Sequence, residues 1–93
     1  MDLLYNYKTP VERTKEIAQR ERVIRKRKKI TQEQMASRIG VSLSTFKRFE
    51  ATGDISFIKM IMIAAVLGCE NDFDALFAKK GYSSIQEVIN EQL

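Results

Sequence analysis

Eight residues within an 18-residue stretch offer most of the recognition chemistry in this chain: Thr31, Gln32, Ser42, Leu43, Ser44, Thr45, Lys47 and Arg48. Arg48 carries a planar fork of donors that can meet two acceptors at once, Lys47 is a compact positive charge, and the hydroxyls both donate and accept. Such a set suits the holding of anionic oxygens and the reading of polar edges. Bond-making chemistry lacks its usual parts. The chain has no histidine, the commonest general base, and shows neither a Gly-rich phosphate loop nor a nucleophile–base pair. No enzymatic activity is expected, and no cofactor. The single cysteine, Cys69, permits no disulfide within these residues and no cysteine-based zinc site, and it reads as a small apolar residue. Glu70, Asp72 and Asp74 read as acids favoured at a helix start, not as metal ligands.

The charge is unevenly spread. The 93 residues carry a net charge of +4, but residues 1–50 hold 13 Lys/Arg against 6 Asp/Glu, and residues 51–93 hold 3 against 6. A basic half beside an acidic one points to a polyanionic partner. The run Arg25-Lys26-Arg27-Lys28-Lys29 reads either as phosphate contacts or as a solvated helix end whose cations suit the dipole. The start, MDLLYNYKTP, has no basic segment leading into an apolar run, so no signal peptide is expected. Phe57–Leu67, interrupted by Lys59, is too short to span a membrane. A cytoplasmic protein without membrane contact is the expectation.

Helices must position these residues, because start signals recur along the chain while alternating strand patterns are missing. Thr9-Pro10-Val11-Glu12 opens a helix over about 10–28, with Val11, Ile17 and Ile24 as a narrow inward stripe. Thr31 with Gln34 makes a capping box, stapled by Ile30 and Met35, for a helix ending at Ile39-Gly40. Ser42 caps a third helix to about Ala51, with Val41 set to pack on Phe46. Ser56 precedes a fourth over Phe57–Leu67, and Asn71 caps a short fifth over Asp72–Ala78. A further short helix through Gln92 follows Ser83 or Ser84. The fold class is therefore all-α, with a long first helix, five helices in a compact domain and a possible short C-terminal one. Residues 1–8 form an N-terminal extension, 9–80 the domain and 81–93 a tail.

The second and third helices are joined by about three residues, one of them glycine, which is helix-turn-helix geometry. Met35, Ala36 and Ile39 form one inward face, and Phe46 and Phe49 the other. Leu43, Ser44, Lys47 and Arg48 are left on the outer side, at four-residue spacing. A ridge with small polar residues at its start and cations one turn later fits a DNA major groove about 12 Å wide.

The stretch TQEQMASRIGVSLSTFKRFE resembles the Cro/phage-repressor (XRE-like) helix-turn-helix family, and the likeness extends from about Arg25 to Phe77. Arg25, Thr31-Gln32, Ala36, Gly40 and Glu50 stand where that pattern has Arg, Thr-Gln, Ala, Gly and Glu, and the five-helix layout and Leu67-Gly68 agree with it. The resemblance implies a lambda-repressor-like domain in which Gln32, at a helix N-terminus, holds a phosphate. It also implies a salt bridge between Arg25 and Glu50 that serves stability. Ser42 is expected to be committed to capping and Ser44 to be freer for DNA. Thr45 either meets phosphate or sits between helices. Lys47 reads a base or neutralises a phosphate, Leu43 meets a thymine methyl or packs internally, and Arg48 pairs with guanine.

The resulting expectation is a sequence-specific regulator of transcription, a repressor, bound to double-stranded DNA as a homodimer through the fourth and fifth helices. FKRFEATGDISFIKMIMIAAVLGCENDFDALF also resembles regulators encoded beside HipA-type toxin kinases. This gives an alternative, a HipB-type antitoxin that binds such a kinase and regulates its own operon. The acidic second half and Leu3-Leu4-Tyr5-Asn6-Tyr7 are the places where a protein partner would sit.

Overall fold

Thr9 accepts a hydrogen bond from the Glu12 amide at 3.1 Å and starts the first of five helices among the described residues. The computed structural model describes residues 7–79. In chain order the helices are α1 (Pro10–Arg27), α2 (Gln32–Ile39), α3 (Leu43–Thr52), α4 (Phe57–Leu67) and α5 (Asn71–Asp74), and no strand occurs among the described residues. The all-α expectation holds. The expected helix through Gln92 and the segment Leu3–Asn6 lie outside the described residues.

Local chemistry sets most boundaries. Thr31 accepts from the Gln34 amide and Gln34 Oε1 accepts from the Thr31 amide, the reciprocal capping box. Ser42 and Ser56 accept from the amides of Thr45 and Lys59, filling donors that a helix start leaves open. Gly40 closes α2 at φ +73°, and the amides of Gly40 and Val41 turn back to the carbonyls of Ser37 and Ala36. That left-handed turn leaves only Gly40, Val41 and Ser42 between α2 and α3. The end of α1 uses the same double-bonded turn, Lys29 to Lys26 and Ile30 to Arg25, but with a lysine at φ +57°.

α3 packs on α1 and α2, and α2 on α4. Phe46, Phe49, Met35, Ile39 and Ile63 are fully buried between them, joined by Ala18, Ala36 and Leu67. The Phe46 and Phe49 rings lie 5.8 Å apart and tilted, a favourable aromatic geometry.

Two expectations are corrected. Val11 and Ile17 do not line the inner face of α1. They are 60% and 40% exposed, and Ile24 is only partly covered. Ala18, Glu21 and Arg25 are buried instead. These three recur at helical spacing, so the inward side of α1 presents a methyl group and two ionisable side chains. The fifth helix is shorter than Asp72–Ala78. It spans four residues, Glu70 precedes it without a side-chain cap, and the chain turns through 75–78, with Phe77 at φ +61°.

Candidate nucleic-acid interface

The candidate site is built on the cap of α3. Ser42 Oγ accepts from the Thr45 amide, lies 2.8 Å from Thr45 Oγ1 as donor, and lies 3.0 Å from Ser44 Oγ. A hydroxyl has one proton. With that of Ser42 given to Thr45, Ser44 donates to Ser42. Ser44 is therefore tied into the cap network, contrary to the expected freedom. It is exposed, as are Lys47 and Arg48 one turn on, while Leu43 and Thr45 are half-buried. Phe46 and Phe49 anchor the opposite side. No described element covers the ridge of Ser44, Lys47 and Arg48.

Among the described residues, Arg48 has one neighbour of opposite charge. Its Nη2 lies 3.9 Å from Asp54 Oδ2, both side chains being largely in solvent. An exposed pair at that distance contributes little, so the guanidinium is available to another partner.

Behind α3, charge is buried. Arg25 Nε donates to Glu50 Oε2 at 2.8 Å, Nη2 to Glu50 Oε1 at 2.9 Å, and Nη1 to the Ile30 carbonyl at 2.8 Å. The Arg25 guanidinium also lies 6.0 Å from the Phe46 ring centre, within cation–π range. A fork-to-fork pair of this kind fixes both partners in one geometry. It ties α1 to the end of α3, in the arrangement the family resemblance implied. The hydrogen bond from Arg25 to Glu50 raises the guanidinium pKa still further. Burial alone would raise that of Glu50, but hydrogen bonds from Arg25 and Gln32 and the positive charge of Arg25 hold it below the usual carboxylate range.

Gln32 belongs to the same cluster. It is half-buried at the first position of α2, and its Nε2 donates to Glu50 Oε1 at 2.8 Å. Its side chain is therefore oriented by Glu50. The amide's second N–H and the free backbone amides of the first turn of α2 remain as donors. Thr31 is exposed with its oxygen committed to the capping box.

Two residues of the cluster and its surroundings have no signal in the sequence pattern. Glu21, 6% exposed, sits beside the Arg25–Glu50 pair although it reads as one more acid on a charged helix. Lys59 interrupts an apolar helix, and its Nζ donates to the Ile39 carbonyl at 2.8 Å, satisfying the end of α2. A spacing of 20 residues gave no hint of that bond. The described residues hold no group of His, Cys, Asp and Glu suited to a metal, and no helix among them is long and apolar enough to cross a membrane.

No curated protein and no solved structure matches the chain. A family match does exist: the helix-turn-helix family matches residues 22–71, which takes in the end of α1, the capped α2–turn–α3 unit and all of α4. With that match and this geometry, the chain belongs to the Cro/C1-type, XRE-like helix-turn-helix family of DNA-binding domains.

Proposed function

We propose that this protein is a sequence-specific transcriptional repressor that lays α3 in the major groove of double-stranded DNA. The observation that carries this reading is the exposed ridge of Ser44, Lys47 and Arg48 over a buried Phe46/Phe49 anchor. Arg48 pairs with guanine O6 and N7, Lys47 reads a base or neutralises a phosphate, and Ser44 accepts from an exocyclic amine. Leu43, half-buried, and Thr45 shape the start of the helix, Leu43 being placed for a thymine methyl. Thr31 and Gln32 hold a phosphate at the N-terminus of α2. Ser42 acts as the cap.

The protein acts as a homodimer through α4 and α5. Phe57, Ile58 and Ile61 share the outer side of α4 and are exposed, as are Leu76 and Phe77. Phe57 meets Phe73 edge-on at 5.7 Å. A run of exposed apolar residues of this kind marks an interface. The same surface supports the second reading, an antitoxin that docks a toxin kinase.

Selection of bound sequences from a random DNA pool, followed by titration with salt, tests the proposal. Affinity should fall steeply with salt for every sequence, and the selected site should be a palindrome of two half-sites about one helical turn apart. Selection of no sequence would defeat the DNA-reading assignment. A monomer at high protein concentration would defeat the dimer.

A further inference from the structure

We propose that Glu21 is a positioning residue of the DNA interface that works as a neutral carboxylic acid, donating its proton to Glu50 and so fixing the carboxylate that orients Gln32. Three ionisable side chains, Glu21, Arg25 and Glu50, are each buried between α1 and α3. Arg25 uses three of its five N–H groups, two on Glu50 and one on the Ile30 carbonyl, and makes no hydrogen bond to Glu21. Neither oxygen of Glu21 receives a donor.

An ionised Glu21 would thus be a buried charge with no hydrogen bond, next to a second carboxylate, and such a group gives up its charge. A neutral Glu21 has a donor of its own, and Glu50 has room for it. A carboxylate offers about four lone-pair sites. Arg25 Nε takes one on Oε2, and Arg25 Nη2 and Gln32 Nε2 take two on Oε1. The remaining site accepts the Glu21 proton. The cluster then holds one positive and one negative charge, and the Glu21 proton has an acceptor.

Burial first, then the hydrogen bond to Glu50 and repulsion by its charge, push Glu21 up to about 9, with Arg25 opposing. Beyond Arg25 and Glu50, the charged or titratable groups on the groove that Glu21 lines are Arg20 of α1 and, past α4, Cys69 and Asp72. α4 faces it with Met60, Ile63, Ala64 and Leu67. Among the described cations, Arg25 is the one that favours the ionised form of Glu21.

The consequence for binding rests on the proposed phosphate contact of Gln32. When Glu21 ionises, repulsion between two buried carboxylates disturbs the Glu50 seat from which Gln32 is aimed, and DNA affinity falls. The test compares the intact protein with its Glu21→Gln variant, which keeps the shape and a donor but cannot ionise. Thermal unfolding without DNA, from about pH 5 to pH 9, should show the wild type losing stability as pH rises while the variant stays flat. The infrared band of a protonated carboxyl should be present in the wild type at neutral pH and absent from the variant. Affinity for the selected DNA site should fall with pH in the wild type alone.

Parallel unfolding profiles, or an unchanged infrared band, would overturn the proton assignment. Different unfolding profiles with parallel affinity profiles would overturn the positioning role. The unfolding and infrared measurements need no DNA, so a protein that bound no DNA at any pH would overturn the DNA reading and the positioning role but not the proton. If Glu21→Gln proves poorly folded, the wild-type infrared titration still decides: a band that persists to about pH 9 supports the proton, and its absence at pH 7 removes it.

Discussion

Lys59 reaches from the first turn of α4 to the last carbonyl of α2, Nζ to Ile39 O at 2.8 Å. It does so just where α2 turns at Gly40 into α3, and a Cβ at Gly40 would sit 3.6 Å from the same ammonium. A cation at a helix C-terminus meets both the open carbonyl and the negative dipole end. Replacing Lys59 by Met keeps the apolar stem and removes the charge. Urea unfolding should show a loss of about 1–2 kcal/mol, and no loss would mean that the bond contributes nothing in solution.

Arg25→Ala should be far more damaging. It leaves Glu50 and Glu21 buried together without a cation, a loss of about 3–5 kcal/mol. That is a large share of the stability of a domain this size. Arg25→Lys should fail to rescue it, because an ammonium cannot reproduce the two parallel bonds to Glu50. Circular dichroism during urea unfolding distinguishes these outcomes.

Backbone conformation gives a pair of opposite effects. At Gly53, φ is +82° and a Cβ would lie 2.5 Å from the Thr14 carbonyl carbon and 2.6 Å from its oxygen. Gly53→Ala should therefore cost well over about 1 kcal/mol, since α1 and α3 must separate. At Lys29, exposed with φ +57°, glycine is the easier residue, and Lys29→Gly should stabilise by up to about 1 kcal/mol. Melting temperatures of the two variants should move in opposite directions.

Stability should depend on pH with two arms. The folded pKa of Glu21 is raised, so its contribution is fully present below the unfolded value near 4.5 and is lost as pH rises toward about 9. That of Glu50 is lowered, so its contribution is present above the ordinary carboxylate value and is lost as pH falls through the folded one. The wild type should be most stable on the mildly acidic side of neutrality. Glu21→Gln should keep the acid arm and lose the alkaline one, as read by melting temperature against pH.

Arg48 and Asp54 separate specificity from affinity. Arg48→Ala should relax base preference at one position in each half-site, costing about 1–3 kcal/mol on the best sequence. Asp54→Asn removes a negative charge beside the ridge and should raise affinity for all sequences, by roughly 0.5 kcal/mol at low salt. Competition binding on matched and mismatched sites reads both. An Arg48→Ala protein with unchanged preference would remove Arg48 from the reading face.

The starts of α1 to α4 were legible in the sequence because caps act over three or four residues, whereas α5 has no side-chain cap to announce it. Thr9, Thr31, Ser42 and Ser56 each accept from an amide three positions on. The outward placement of Ser44, Lys47 and Arg48 was legible for the same reason, since helical spacing opposite two phenylalanines leaves them nowhere else to point. Tertiary contact alone decided which face of α1 turned inward. The apolar periodicity of Val11, Ile17 and Ile24 was too weak to compete with a bidentate ion pair that buries the Ala18–Glu21–Arg25 side. It also decided that Gln32 answers to Glu50 and that Lys59 closes α2. A hydrogen bond between residues 18 or 20 positions apart has no periodicity by which to announce itself. What a buried carboxyl does with its proton depends on how many donors the fold brings to it.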